Sequence, residues 1–279
     1  MHEIKMIGLD LDGTLLNEKK EVTPYTAEIL KKSIDRGVTV LVATGRPITG
    51  VPKYLLDFPG MRYVLTANGG RIIDIREKKI LYEELVPFDM AVKILKVFEK
   101  YDSFREIYFD GLGYVQKEQL ERIQDYYRTG PMINYITATR RGVDDIWEKM
   151  HEMQGHGLDK VHGVFADEGE RLQALKELME IGDLEVTNAL GNNLEVNAPG
   201  VNKGRGLIRL GKMLGISRDE IMAFGDGTND LKMITEVGFG VAMANGFEEV
   251  KAAADYVTCS NEEDGVAKAI EKFVLNNDQ

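Results

Sequence analysis

The stretch Asp10-Leu11-Asp12-Gly13-Thr14 follows a largely apolar run, Ile4 to Leu9, that reads as a buried strand. Two carboxylates one residue apart at a strand end repel each other, which raises the cost of ionising both. A divalent cation removes that cost, because hard cations take oxygen ligands. An isolated DxDG is better read as an Asx-rich turn; three further polar clusters set this one apart. With an ordinary Asp pKa of about 3.9, Asp10 would be ionised at neutral pH. Its carboxylate could attack phosphorus and form an acyl-phosphate, splitting one hard hydrolysis into two easier steps. Asp12 would need to hold a proton for a leaving alkoxide, so its side chain is expected to point away from the cation.

The second cluster is Val42-Ala43-Thr44-Gly45-Arg46 at the end of another apolar strand. A hydroxyl and a flexible backbone there suit a phosphate oxygen, although for this motif alone a plain turn with Thr44 as helix N-cap is the better reading. The third is Lys203, just before a helix, where a cation opposes the helix dipole unless it faces an anion. Most lysines are simply solvated. The fourth is Gly225-Asp226-Gly227-Thr228-Asn229-Asp230, after the apolar strand Ile221–Phe224. Asp226 could complete the shell of a cation and Asn229 could donate to a phosphate oxygen. Asp230 could hold Lys203 or a metal-bound water. A capped loop accounts for only one of these polar residues. Together the clusters sit at the carboxyl ends of parallel strands, where ligands bind in open α/β sheets. Three carboxylates and a lysine make a Mg²⁺ and phosphate site.

Strands and helices alternate at both ends of the 279-residue chain, which predicts an α/β core, a parallel sheet with helices on both faces. The middle reads as an inserted α+β block. It starts with a helix from Phe88 to Tyr101, then a hairpin of Arg105–Asp110 and Gly113–Lys117. A helix from Glu118 to Arg128 is expected to break at Gly130-Pro131. Helices at 144–153 and 170–181 flank a strand Lys160–Phe165, and Glu185–Asn188 pairs with Leu194–Asn197. The expected core is thus 1–83 and 190–279, with 84–189 inserted. Hydrophobic residues at 43% and charged residues at 29% are ordinary for a globular chain. The net charge of −11 argues against nucleic-acid binding and means an anionic substrate needs a local cation. One cysteine, Cys259, excludes an internal disulfide and reads as a small buried residue. No signal peptide and no apolar run of transmembrane length are visible, which predicts a cytoplasmic chain without a membrane partner. Oligomeric state is not legible.

The four motifs DLDGT, ATGR, VNKG and GDGTND resemble those of the haloacid dehalogenase superfamily of aspartate-nucleophile phosphatases. The large insert, Asn68-Gly69-Gly70 and the phrase from Asn193 to Gly204 resemble the Cof-type sugar-phosphate phosphatases. The resemblance implies a Rossmann-like doubly wound core with an inserted α+β cap that sets substrate specificity. It implies Asp10 as nucleophile and Mg²⁺ ligand, and Asp12 as general acid/base lending its backbone carbonyl to Mg²⁺. It further implies Leu11 amide, Thr44, Gly45, Lys203 and Asn229 on the phosphate, Asp226 on Mg²⁺, and Asp230 behind them. A small phosphorylated metabolite is the implied substrate. A phosphomutase would share this chemistry; the intact set of Asp10, Asp12, Lys203 and Asp226 argues against a sensor that has lost turnover, and the insert and GDGTND argue against a response-regulator receiver. Trp147, Met150 and Met153 fall at helical spacing and are expected in a core. His151, His156 and His162 do not match a zinc spacing. Arg140-Arg141 could meet a sugar-phosphate substrate or be plain surface charge, and the surface is the favoured reading.

Overall fold

The protein is described here by a computed structural model covering residues 2–276. The chain forms two compact units: residues 2–45, 51–82 and 202–276 make the first, Arg46–Gly50 and Glu83–Val201 the second. In chain order the first unit opens with strands β1 (Met6–Leu9), β2 (Thr39–Ala43), β3 (Tyr63–Thr66), β4 (Arg71–Asp74) and β5 (Lys79–Glu83). The second follows with β6 (Ser103–Phe109), β7 (Leu112–Gln116), β8 (Arg140–Val143), β9 (Lys160–Phe165), β10 (Glu185–Thr187) and β11 (Asn193–Asn197). The chain returns to the first unit with β12 (Ile221–Gly225), β13 (Phe239–Ala242) and β14 (Tyr256–Val257).

In the first unit the strand order is β14-β13-β12-β1-β2-β3-β4-β5, a Rossmann-like sheet that is parallel from β14 to β3. All four residues of β1 are buried, as a strand covered on both faces requires. The helix Pro24–Asp35 starts where Thr23 Oγ1 accepts from the Thr26 N–H, with proline in its first turn. The helix Lys203–Leu214 starts where Asn202 Oδ1 accepts from the Arg205 N–H at 2.8 Å. It presses Leu207 and Leu210 into a core with Met6, Leu41, Leu65, Ile221 and Ala223. Each fully buried leucine contributes about 1.5–3 kcal/mol of hydrophobic stabilisation. The effect is to seat the first residue of that helix, Lys203, under the end of β1.

In the second unit the sheet order is β10-β11-β9-β6-β7-β8. Strand alternation sends Ile107, Val161, Leu194 and Val196 to a core shared with the helices Phe88–Phe98 and Glu168–Ile181. The alternate positions, Glu106, His162 and Glu195, stand in register on the other face. The expected helix from Glu118 to Arg128 is instead a short helix Lys117–Glu121 and a 3₁₀ turn Ile123–Asp125. Tyr126 and Tyr127 leave it to bury against Phe104. Pro131 lies in the first turn of a new helix, Gly130–Thr139, because a proline there forfeits no hydrogen bond. The change of unit comes after Val201 rather than near 190, since β11 pairs with β9 and β10. Met150 and Met153 are buried in this unit's core, and Trp147 packs beside them.

Candidate active site

Parallel pairing of β1 with both β12 and β2 brings three strand ends together. Asp10 follows β1, Thr44 follows β2, and Asp226 follows β12. The Asp10 N–H donates to the Phe224 carbonyl at 3.0 Å, which fixes the first carboxylate beside the last strand. Lys203 Nζ lies 2.6 Å from Asp10 Oδ1 and 2.6 Å from Asp230 Oδ1, with no solvent exposure. The other Asp230 oxygen accepts from the N–H groups of Asp226 and Gly227, each at 3.0 Å. Thr14 Oγ1 donates to Asp226 Oδ1 at 2.6 Å. Gly13 is the residue this arrangement requires: its φ is +80°, and a Cβ there would stand 2.3 Å from Asp226 Oδ2.

Thr44 and Asn68 are buried and joined, the Asn68 N–H donating to the Thr44 carbonyl at 3.0 Å. Asn229 Nδ2 donates to Asn68 Oδ1 at 3.3 Å, so the second and fourth motifs meet through Asn68. Ala67 and Asn68 hold left-handed backbone, with φ of 50° and 57°. Gly69 follows because its Cβ would strike the Asn202 carbonyl at 2.4 Å. Leu11 is fully buried in the loop after β1.

Burial pushes the Asp10 carboxyl well above its ordinary range; Lys203 pulls it back, and Asp230 and Asp226 push it up again. Asp226 is pushed up to about 7, first by burial and next by Asp230. Burial works against the Lys203 ammonium, but Asp10 and Asp230 hold its pKa above the usual lysine value. An Asp10 ionised on its ordinary pKa is therefore not what the protein groups alone provide. Oxygens of Asp10, Asp226 and Asp230 lie within 4.8 Å of one another. One ammonium does not balance three crowded carboxylates, and an all-oxygen donor set of this kind fits a hard divalent cation. Asp230 already has both oxygens engaged, which leaves Asp10 and Asp226 as the carboxylates facing such an ion. The Asp12 carboxylate is not in this cluster; its Oδ1 accepts from Lys20 Nζ at 2.7 Å.

The sequence reading did not single out Lys20 or Asn245, nor give Thr14 and Asn68 a role. Asn245 Nδ2 donates to the Gly13 carbonyl at 2.8 Å. Arg46 is in the second unit, where its guanidinium lies 4.1 Å over the Tyr135 ring and donates to the Gly50 carbonyl. Arg140, expected at the surface, has a buried side chain. It pairs with Glu106, donates to Tyr108 Oη at 2.7 Å, and lies over the rings of Tyr108 and Tyr135. His162 Nδ1 lies 2.5 Å from the second Glu106 oxygen, and its Nε2 lies 3.0 Å from Asn193 Nδ2. Burial alone would raise Glu106, but Arg140 and His162 hold it well below the usual carboxylate range. Cys259 is half-buried rather than buried. No helix among the described residues is long and apolar enough to cross a membrane.

A family profile described as haloacid dehalogenase-like hydrolase matches residues 7–270. The chain belongs to this family. The Bacillus subtilis (strain 168) protein 5-amino-6-(5-phospho-D-ribitylamino)uracil phosphatase YcsE is 31% identical over 277 residues, covering 98% of this chain and 97% of its own. A solved haloacid dehalogenase-like hydrolase from B. subtilis superposes with a TM-score of 0.86 at 28% identity, covering 97% of this chain and 100% of that one. The HAD subclass IIB sugar phosphatase BT4131 superposes with a TM-score of 0.81 at 25% identity, covering 96% and 98%. This haloacid dehalogenase-like hydrolase is thus a phosphatase of the Cof type, acting on phosphorylated small molecules.

Proposed function

We propose that the protein is a Mg²⁺-dependent phosphatase of small phosphorylated metabolites, sugar phosphates or related compounds, working through a phosphoaspartyl intermediate. The observation that carries this is Lys203 paired at 2.6 Å with Asp10 inside a buried cluster of three carboxylates. Asp10 and Asp226, with the Asp12 backbone carbonyl, would hold the cation. When bound, Mg²⁺ would supply positive charge to the phosphoryl oxygens and keep Asp10 ionised.

An Asp10 oxygen would then form a bond to phosphorus as the ester P–O bond breaks. Asp12 would pass a proton to the departing oxygen. A water, giving a proton back to Asp12, would release phosphate and restore Asp10. Lys203 would neutralise charge on Asp10 and the phosphoryl group, and Leu11, Thr44, Gly45 and Asn229 would hold its oxygens. Phosphoryl transfer is catalysed chiefly by such positioning and charge neutralisation. These groups recognise the phosphoryl group alone, so on this reading choice among esters falls to the inserted unit. The cytoplasm is the proposed compartment.

The test is phosphate release from a panel of phosphorylated sugars, polyols, nucleotides and cofactors, with Mg²⁺ and with EDTA. The panel would include the ribitylaminouracil phosphate for which YcsE is named. Asp10→Asn should lower turnover by at least ~10⁴-fold, as loss of a nucleophile does elsewhere. Mg²⁺-dependent release that survives Asp10→Asn would overturn the assignment.

A further inference from the structure

Lys20 sits in the turn that follows Leu16, and nothing in the four motifs includes it. The turn is tightly made. The Asn17 N–H donates to the Glu21 carbonyl at 3.0 Å, the Lys20 N–H to the Asn17 carbonyl at 2.9 Å, and the Glu21 N–H to Asn17 Oδ1 at 3.0 Å. It is also tied to the rest of the first unit. Asn261 Nδ2 donates to the Leu16 carbonyl at 2.8 Å, and the Glu18 N–H donates to Glu262 Oε1 at 2.6 Å. Lys20 itself has φ of 63°, left-handed backbone that costs a lysine and favours glycine or asparagine.

The side chain is the reason a lysine stands there. Its Nζ donates to Asp12 Oδ1 at 2.7 Å, and both side chains are about one-third exposed, at 30% and 31%. An ion pair as exposed as this adds little net stability. Strained backbone spent on a pair that hardly stabilises the fold points to a use other than folding. The relevant contrast is with Asp10, Asp226 and Asp230, whose oxygens converge while the Asp12 carboxylate stays outside.

We propose that Lys20 is a positioning residue for the phosphatase reaction: it holds the Asp12 carboxyl group clear of the three-carboxylate cluster, where it serves the leaving group instead of a cation. The inference rests on the phosphatase reading given above. In the first step the Asp12 proton moves to the ester oxygen as the P–O bond breaks, and the carboxylate left behind is the form that pairs with Lys20 at 2.7 Å. A fixed cation beside charge that develops in the transition state lowers the barrier without having to reorganise. The benefit depends on the leaving group. A p-nitrophenolate departs without a proton, whereas a phenolate or an alkoxide needs one.

The experiment compares wild type, Lys20→Met and Lys20→Arg in Mg²⁺ with p-nitrophenyl phosphate and with phenyl phosphate. Lys20→Met should lose kcat on phenyl phosphate by about tenfold more than on p-nitrophenyl phosphate, a fraction of what general acid catalysis supplies. KM should stay within about twofold for both esters, because Lys20 acts through Asp12 and not on substrate. Lys20→Arg should restore the phenyl phosphate rate. A crystal structure of Lys20→Met with Mg²⁺ should show the Asp12 side chain turned toward the cluster. Equal losses on both esters, a change in KM alone, no loss on either ester, or an unmoved Asp12 would each overturn the inference and leave the phosphatase reading standing. A wild-type protein that releases phosphate from neither ester and from no member of the metabolite panel would overturn that reading itself.

Discussion

Lys203 and Asp10 are 193 positions apart in the chain and 2.6 Å apart in space, with Lys203 wholly buried. A charge in that position is stable only because the helix start at Asn202 and the end of β1 hold both partners in place. Replacing Lys203 by Met leaves Asp10 and Asp230 buried without their cation. Breaking a buried pair from one side costs roughly 3–5 kcal/mol. The variant's unfolding free energy from urea titration should fall by that margin, and turnover should be lost as well. A stable Lys203→Met protein with normal turnover would contradict the charge balance drawn here.

Asp226 makes stability depend on pH and on metal together. Its carboxyl is raised from 3.8 to about 7, first by burial and next by Asp230. A group raised in the folded state lends stability that is complete below its unfolded pKa and is lost as pH climbs through the folded one. Without Mg²⁺ the melting temperature should therefore fall from about pH 4 to about pH 7. Mg²⁺ binds the deprotonated acids, so its stabilising shift should grow over the same interval. Scanning calorimetry with Mg²⁺ and with EDTA measures both slopes, and Asp226→Asn should remove most of the difference between them.

Gly13→Ala should act on the same carboxylate by sterics. The new methyl group would meet Asp226 Oδ2 at 2.3 Å, on a backbone with φ of +80°. The left-handed backbone costs an alanine about 1–2 kcal/mol, and Asp226 must also shift. A Mg²⁺ titration of the rate should show half-activation at a higher concentration than in wild type. An unchanged midpoint would mean that Asp226 does not hold the cation.

Arg140 tests the second unit. Arg140→Met leaves Glu106 fully buried beside His162 and should cost about 3–5 kcal/mol in urea unfolding. The double change Glu106→Leu with Arg140→Met should cost less than Arg140→Met alone, because no buried charge is left unpaired. A double variant as unstable as the sum of the singles would show that the two residues do not act as a pair.

Lys203 was legible because a cation at a helix start opposes the helix dipole, and the site residues of the first, second and fourth motifs because each stands at the end of an apolar strand, where packing gives a polar side chain nothing to do. Asp10, Thr44 and Asp226 are such positions, and strand alternation alone put them at one edge. Lys20 was not legible, since its meaning lies in a left-handed turn that carries it back to Asp12. Arg140 was misread because its burial depends on Glu106, 34 residues earlier, and on a tyrosine-lined face that only the sheet register creates. The helix Gly130–Thr139 was missed for a related reason: a Gly-Pro pair can close one helix and open the next.

The place of β1 between β12 and β2 has a consequence for the birth of the molecule. A ribosome delivers Asp10 and Thr44 well before Lys203 and Asp226. Until β12 emerges and inserts beside β1, Asp10 stands without Asp226 beside it. On the proposed reading, hydrolysis begins only once both segments are in place.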